Sequence, residues 1–427
     1  MTVANKGQFT RQSRQQPFRI TPFWAILAGA VFLRVVWAAL VPIDPVSDSF
    51  AYQQFTAGLL EGRGYSWQDG APTAFWPVGT SAAYAMVYWL LGQSAAAAVA
   101  FHLLLTAGIL TATLYLGTRW VGRPAALTAC LLLAIWPMHI EFTTVIASEL
   151  IFTALLLAAL CVWESRRLSW WWQALLLGTA VAAASYVRPT ALLLPVVLAC
   201  STVFDSRRRW HGIKTAGACV LVAGLLIAPW SIRNAHAFGE FVPISTNAGV
   251  NLWMGNNPAS RGSYTEVPAA FAGMNEAERD RRLGAAGRQY IIDHPGRFVL
   301  NTGFRLVDTF GQETIGVHWN EPGLKRAFGT GVLLPLKVAG QVFWMGVLGL
   351  GLWGSAMLVR RQGWRSAVFH SATLTILYFV AVHSLIVSQD RYHFPVTPLI
   401  ALLAGFALCS LLRHHARKPR FGAVSPI

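Results

Sequence analysis

Residues 41–67, VPIDPVSDSFAYQQFTAGLLEGRGYSW, begin where a long apolar run ends, and they carry Asp44 and Asp48 in a chain with only 18 acidic residues among 427. From Asp48 onward, Tyr52, Phe55 and Leu59 recur at helical spacing, Gln53, Gln54 and Glu61 fall elsewhere, and Gly58, Gly62 and Gly64 break the run. This predicts a short amphipathic helix lying in the plane of a membrane surface. One role for Ser47 or Asp48 is then the N-cap. Another role for Asp48 is a general base at the membrane edge. The two are compatible, and Asp44 reads as a solvated neighbour.

The composition fits a membrane setting. The chain is 55% hydrophobic and 12% charged, against about a quarter charged in a typical soluble chain. Apolar runs near 21–42, 95–117, 124–138, 149–163, 169–187, 189–204, 212–229, 336–358, 366–387 and 395–412 predict an all-α polytopic protein of about ten transmembrane helices. An eleventh run, Pro77 to Gly92, would reach only about 24 Å as a helix, short of a hydrocarbon core of about 30 Å. It is therefore placed at the interface.

Charge supports that layout. The net charge of +16 lies in short clusters between apolar runs, so it reads as positive-inside bias and not as a nucleic-acid surface. Nineteen Lys and Arg fall on one side, among them Lys6, Arg11, Arg14 and Arg19 at the start, against Arg63, Arg188 and Arg391 in the short loops of the other. Of the acids, only Glu164 and Asp205 fall on the basic side. The organisation expected is a cytoplasmic tail over 1–20, a transmembrane core over 21–229 whose first outer loop is 43–94, and a small mixed outer-face domain over 230–335. Transmembrane helices over 336–412 and a cytoplasmic tail over 413–427 complete it. The five cysteines sit singly in apolar runs, with neither disulfide nor metal spacing.

The inner loops are too short for a nucleotide-binding domain, and neither GxGxxG after a strand nor GxxxxGK[ST] occurs. An enzyme built this way takes a substrate already activated in the membrane or outside it. The candidate residues are few. Glu149 opens a span from the outer side, where the helix dipole alone would favour an acid. Arg34 lies within the first span and reads either as snorkelling or as facing a cavity. Arg188, Lys337 and Arg391 stand at outer span ends, as lipid-phosphate anchors or as a cationic clamp for a phosphate leaving group. Asp390 is a possible ion-pair partner for its neighbour Arg391. Arg233, Asn234 and Asn256, in the Gly- and Asn-rich stretch after Pro229, suit recognition of a polar ring or a plain irregular loop. Asn275 is expected to cap a helix that ends before Pro295.

In order along the chain come GRGYSW, PTAFWPVGTSAAYAMVYWLLG, the SE pair at Glu149, RPTALLLP, APWSIRNAHAFGEFVPIST, GNNPASRGSY and DRYHFPVTPLIALLAG. This series resembles the GT-C glycosyltransferases, in the branch of the protein mannosyltransferases and the lipid A aminoarabinose transferase. The resemblance implies a polyprenyl-phosphate sugar donor, a lipid, glycan or protein acceptor, and transfer on the outer face of a bacterial inner membrane. It also implies Asp48 and Glu149 as the catalytic acids and Arg188 and Arg391 near the carrier phosphate. Tyr52 and Tyr392 are further substrate-binding candidates. Ser49 stands where many relatives have a second acid, which leaves Asp48 and Glu149 a thin ligand set for a hard cation, so transfer without a metal is expected, with no cofactor; Trp76-Pro77 stands where many relatives have two prolines. The rival reading is a polytopic transporter or lipid flippase, which predicts mid-membrane charges and paired half-repeats.

Overall fold

The computed structural model describes residues 21–206, 208–271 and 273–416. The basic residues expected at Lys6, Arg11, Arg14, Arg19, Arg207, Arg417, Lys418 and Arg420 lie outside them. In chain order the helices are α1 (Thr21–Leu40), α2 (Asp48–Leu60), α3 (Val78–Leu91), α4 (Ala95–Trp120), α5 (Arg123–Ile135), α6 (Pro137–Glu141) and α7 (Glu149–Trp163). There follow α8 (Trp170–Val187), α9 (Leu194–Cys200), α10 (Arg209–Phe238), α11 (Ala248–Gly255), α12 (Glu276–Asp293) and α13 (Pro295–Gly311). The last six are α14 (Ile315–Trp319), α15 (Glu321–Phe328), α16 (Leu333–Gln362), α17 (Trp364–Val368), α18 (Ser371–Leu385) and α19 (Thr397–Ala416).

Every apolar run read from the sequence has a helical counterpart. By length and apolarity, five helices can cross a membrane, or six if α5 and the α6 segment, bent by 58°, form one broken span. The rest of the expected ten are shorter or less apolar. The helix at Pro77–Gly92 has 14 residues, about 21 Å at 1.5 Å per residue. The core of the bundle is built where α5 packs on α19 and α19 on α16. Small residues permit that approach: a Cβ at Gly354 would overlap the Leu403 carbonyl, and one at Gly405 the Ala125 carbonyl.

Two readings need correction. The outer segment is helical, with no strand among the described residues and only an isolated bridge between Ser66 and Pro72. The boundary at 229/230 falls inside α10, which runs on through Pro229 to Phe238. Proline removes one helical hydrogen bond, yet Trp230, Ser231 and Asn234 beyond it are tied to the carbonyls of Val242, Pro243 and Ile244, so the helix is held on both sides. Asn275 caps α12 as read, accepting from the Ala277 N–H at 2.9 Å.

The bend at α5–α6 explains Arg34. Pro137 has no N–H to give the Leu133 carbonyl. The buried Arg34 guanidinium supplies one at 3.1 Å and a second to Ala134 at 3.0 Å. Arg34 thus holds a broken helix together. It lines neither of the two cavities described below.

Candidate active site

Three connections that are distant in sequence meet at one end of the bundle: the turn before α2, the start of α7 with the end of α8, and the strap between α18 and α19. Residues 46–49 form a tight turn closed by the Ser49 N–H on the Val46 carbonyl at 3.0 Å, with Ser47 at φ 51° and ψ −127°. These are the angles of the first central residue of a type II′ turn, normally glycine. Neither Ser47 nor Asp48 caps α2 through its side chain: Ser47 makes no such hydrogen bond. The Asp48 carboxylate turns instead to Arg391, accepting from its Nη2 at 2.6 Å.

Arg391 is the hub. Its Nη1 lies 3.5 Å from Glu149 Oε1, its Nε donates to Gln389 at 2.6 Å, and its guanidinium stacks 4.4 Å from the Trp319 ring centre. Arg188 completes the set, donating to Glu149 Oε1 at 2.5 Å and to Ser148 Oγ at 3.0 Å. Burial alone would lower the Arg391 pKa, but the carboxylates of Asp48 and Glu149 raise it, so it stays charged. Tyr52 is pushed up by burial and then by the same two carboxylates, which keeps its phenol protonated. Asp390 is not the partner of Arg391: its carboxylate accepts from the backbone and hydroxyl of Thr314 at 3.0 and 3.1 Å. Asp44 pairs with Arg326.

Around this cluster lie two cavities. The larger, about 700 Å³, includes Asp48, Tyr52, Trp76, Arg188, His383 and Tyr392 in its wall. The smaller, about 530 Å³, is walled by polar groups that include Asp308, Gln312, His318 and Asp390. Both share Ser47, Asp48, Tyr264, Gln389 and Arg391, so the ion pair stands between them. His383, stacked on Tyr392 at 4.4 Å, has a buried Nε2 with no partner among the described residues.

Asp48, Tyr52, Glu149, Arg188, Arg391 and Tyr392 therefore come together. Five other candidates do not. Arg34 belongs to the broken helix. Arg233 donates to the Thr73 and Tyr65 carbonyls, tying the first outer loop to α10, while Asn234 holds Val242 and Ile244. Asn256 donates to Leu252 and accepts from Arg305. Lys337 sits on the first turns of α16, within electrostatic reach of Glu321. Trp319, Gln389, His383 and Tyr264 were not legible as site residues. Gln389 alone carried a signal, two positions before Arg391.

The fold is that of a polytopic helical membrane protein of GT-C type. Two solved chains share the architecture. The archaeal oligosaccharyltransferase AglB from Archaeoglobus fulgidus, in complex with an inhibitory peptide and a dolichol-phosphate, aligns at 14% identity and TM-score 0.56 over 96% of this chain and 53% of its own. ArnT from Cupriavidus metallidurans, bound to undecaprenyl phosphate, aligns at 15% identity and TM-score 0.58 over 92% of this chain and 60% of its own. This chain thus spans between half and three-fifths of those chains. No curated protein matches it. The profile of glycosyltransferase family 87 matches residues 71–290, about half of the sequence, including Glu149 and Arg188. The chain belongs to glycosyltransferase family 87.

Proposed function

We propose that this protein moves a hexosyl or pentosyl unit from a polyprenyl-phosphate carrier to a hydroxyl or phosphate acceptor on a lipid, glycan or protein. The reaction takes place at the outer face of a bacterial inner membrane, with both termini cytoplasmic. One observation carries the reading: two carboxylates about 100 positions apart and two arginines from separate connections converge where two cavities meet. The larger cavity takes the carrier phosphate and sugar against Arg188 and Arg391, with the phenols of Tyr52 and Tyr392 beside them. The smaller admits the acceptor to the other side of Asp48.

Asp48 accepts the proton of the acceptor hydroxyl as its oxygen attacks the anomeric carbon. The bond from that carbon to the phosphate oxygen breaks, the polyprenyl phosphate leaves as an anion, and the configuration inverts. Positive charge developing on the sugar ring is favoured by the neighbouring carboxylates, as in glycoside hydrolysis. The growing charge on the departing phosphate is stabilised by the arginine forks. Before donor binding Arg391 holds Asp48. A donor phosphate drawing the guanidinium away would free the carboxylate to act as base, so that proton abstraction waits on a loaded donor.

The test is a deletion strain restored with wild-type protein or with Asp48→Asn at matched membrane levels, its envelope glycans, glycolipids and glycoproteins compared by mass spectrometry. Wild type should restore a missing sugar, and Asp48→Asn should fall short on the order of 10²–10⁴-fold in rate, the range of a lost general base. Restoration by both would remove Asp48 from catalysis. An unchanged sugar inventory in the deletion strain would favour transport.

A further inference from the structure

A third cavity, of about 660 Å³, opens at the other end of the same helices. The 15-residue helix α7 connects the two ends: Glu149 heads it beside Arg391, and Glu164 caps its far end in the wall of this cavity. At 1.5 Å per residue the separation is about 22 Å, so this is not an extension of the site already described.

Its wall is cationic. Arg119 comes from the end of α4, Arg166 from the α7–α8 connection, Arg208 from the turn before α10, and Arg365 from α17. Four guanidiniums from four separate connections thus share one concavity with two carboxylates, Glu164 and Asp205. Both acids already accept protein hydrogen bonds, Glu164 from Ser371 Oγ at 2.8 Å and Asp205 from the Arg208 N–H at 3.2 Å. Aromatic faces hold the arginines in place: Arg119 lies 5.2 Å from the Tyr115 ring centre, and Arg365 lies 5.6 Å from that of Phe204. Independently, the indole N–H of Trp120, also in the wall, is buried with no acceptor among the described residues. A buried donor without an acceptor costs free energy comparable to a lost hydrogen bond. An acceptor oxygen entering this cavity would remove that cost. The wall also holds the apolar side chains of Leu358, Leu402 and Leu403.

We propose that this cavity is a phosphate-binding site on the face opposite the transfer chemistry, built for the head group of an anionic membrane lipid. Planar guanidiniums match phosphate oxygens, the indole N–H adds a neutral donor, and the apolar part of the wall suits a chain attached to the phosphate. The site stands apart from the proposed transfer reaction and does not depend on it.

The purified full-length protein in nanodiscs containing phosphatidylglycerol or phosphatidylcholine alone would be released into native mass spectrometry and the retained lipid counted. A parallel arm would titrate soluble glycerol 3-phosphate. Wild type should keep phosphatidylglycerol and not phosphatidylcholine. The double variant Arg166→Gln, Arg365→Gln, at exposed positions that the fold tolerates, should retain it roughly tenfold less well, as expected for lost charged hydrogen bonds. Trp120→Phe, which keeps an aromatic ring but removes the donor together with the five-membered ring, should weaken retention by a smaller factor. Saturable glycerol phosphate binding that the double variant loses, with no lipid selectivity, would keep the phosphate site and assign it a soluble ligand. Equal retention of both lipids with no soluble binding, or retention indifferent to the arginine variants, would overturn the proposal.

Discussion

Among the described residues three arginines are buried, Arg34, Arg305 and Arg391, and with the nearly buried Arg188 they divide into two pairs. Arg188 and Arg391 line the larger cavity, and their strongest partners are the carboxylates of Glu149 and Asp48. Arg34 and Arg305 are enclosed in the fold and donate to uncharged oxygens. Arg34 serves the Leu133 and Ala134 carbonyls, while Arg305 reaches those of Gly255 and Ser384 and the Asn256 side chain at 2.6, 2.8 and 2.5 Å. In each case the second pair fastens places where helices end or break and leave carbonyls without N–H partners. Burial of a cation in a membrane protein therefore does not identify a site. The partners do: a guanidinium beside a cavity can exchange its carboxylate for a ligand phosphate, whereas one held by backbone carbonyls inside the fold has no such exchange open to it.

The first way to break this comparison is Arg391→Gln. Removing the hub leaves Asp48 without its partner and takes a fork from the leaving phosphate, so transfer should fall on the order of 10²–10³-fold. Arg391→Lys should recover little, since one ammonium cannot span two carboxylates and a phosphate in the geometry of a planar fork. The restored-sugar assay at matched membrane levels measures both, and near-normal transfer by the lysine variant would reduce Arg391 to a simple charge.

Arg34→Gln should do the reverse. It leaves carbonyls at the α5–α6 bend unpaired, a cost of about 1–3 kcal/mol in stability, read as a lower thermal midpoint in detergent. Activity per folded molecule should hold. A normal midpoint with lost transfer would return Arg34 to the substrate.

This division marks how far the amino-acid sequence could be read. Apolar runs set the helices, because lipid demands length and hydrophobicity within one segment. Asp48, Glu149, Arg188 and Arg391 were legible as individuals at span ends, and the resemblance joined them. Their convergence depends on packing between segments up to 343 positions apart, as for Asp48 and Arg391. The role of Arg34 at the broken helix was not legible because depth in a span looks alike whether a cation faces a cavity or a broken helix, although Trp136-Pro137, two apolar runs later, was a clue. Asn301, Arg305 and Thr309 recur every four residues on one face of α13, and all three are buried. That polar stripe on an outer helix was a visible sign of a staple. The cavity at the far end was hidden within the same basic clusters that set the topology, since charge bias alone does not distinguish a convex loop from a concave wall.

The smallest expected effect lies at Ser47, the only described non-glycine residue with positive φ. Strain of this kind costs about 1–3 kcal/mol and collects at functional sites. Ser47→Gly removes the Cβ conflict but adds unfolded-state entropy, so the net gain in stability should be no more than about 1 kcal/mol, a few degrees at most in the thermal midpoint. The informative readout is transfer measured beside it. Ser47 lies in the wall of both cavities. If the turn matters only for aiming Asp48 at Arg391, glycine satisfies it and the rate stays within twofold or so, the scatter expected of a neutral change. If transfer falls while stability rises, the hydroxyl touches donor or acceptor, and the uncharged part of the site extends one residue further toward the membrane surface than the ion pairs alone define.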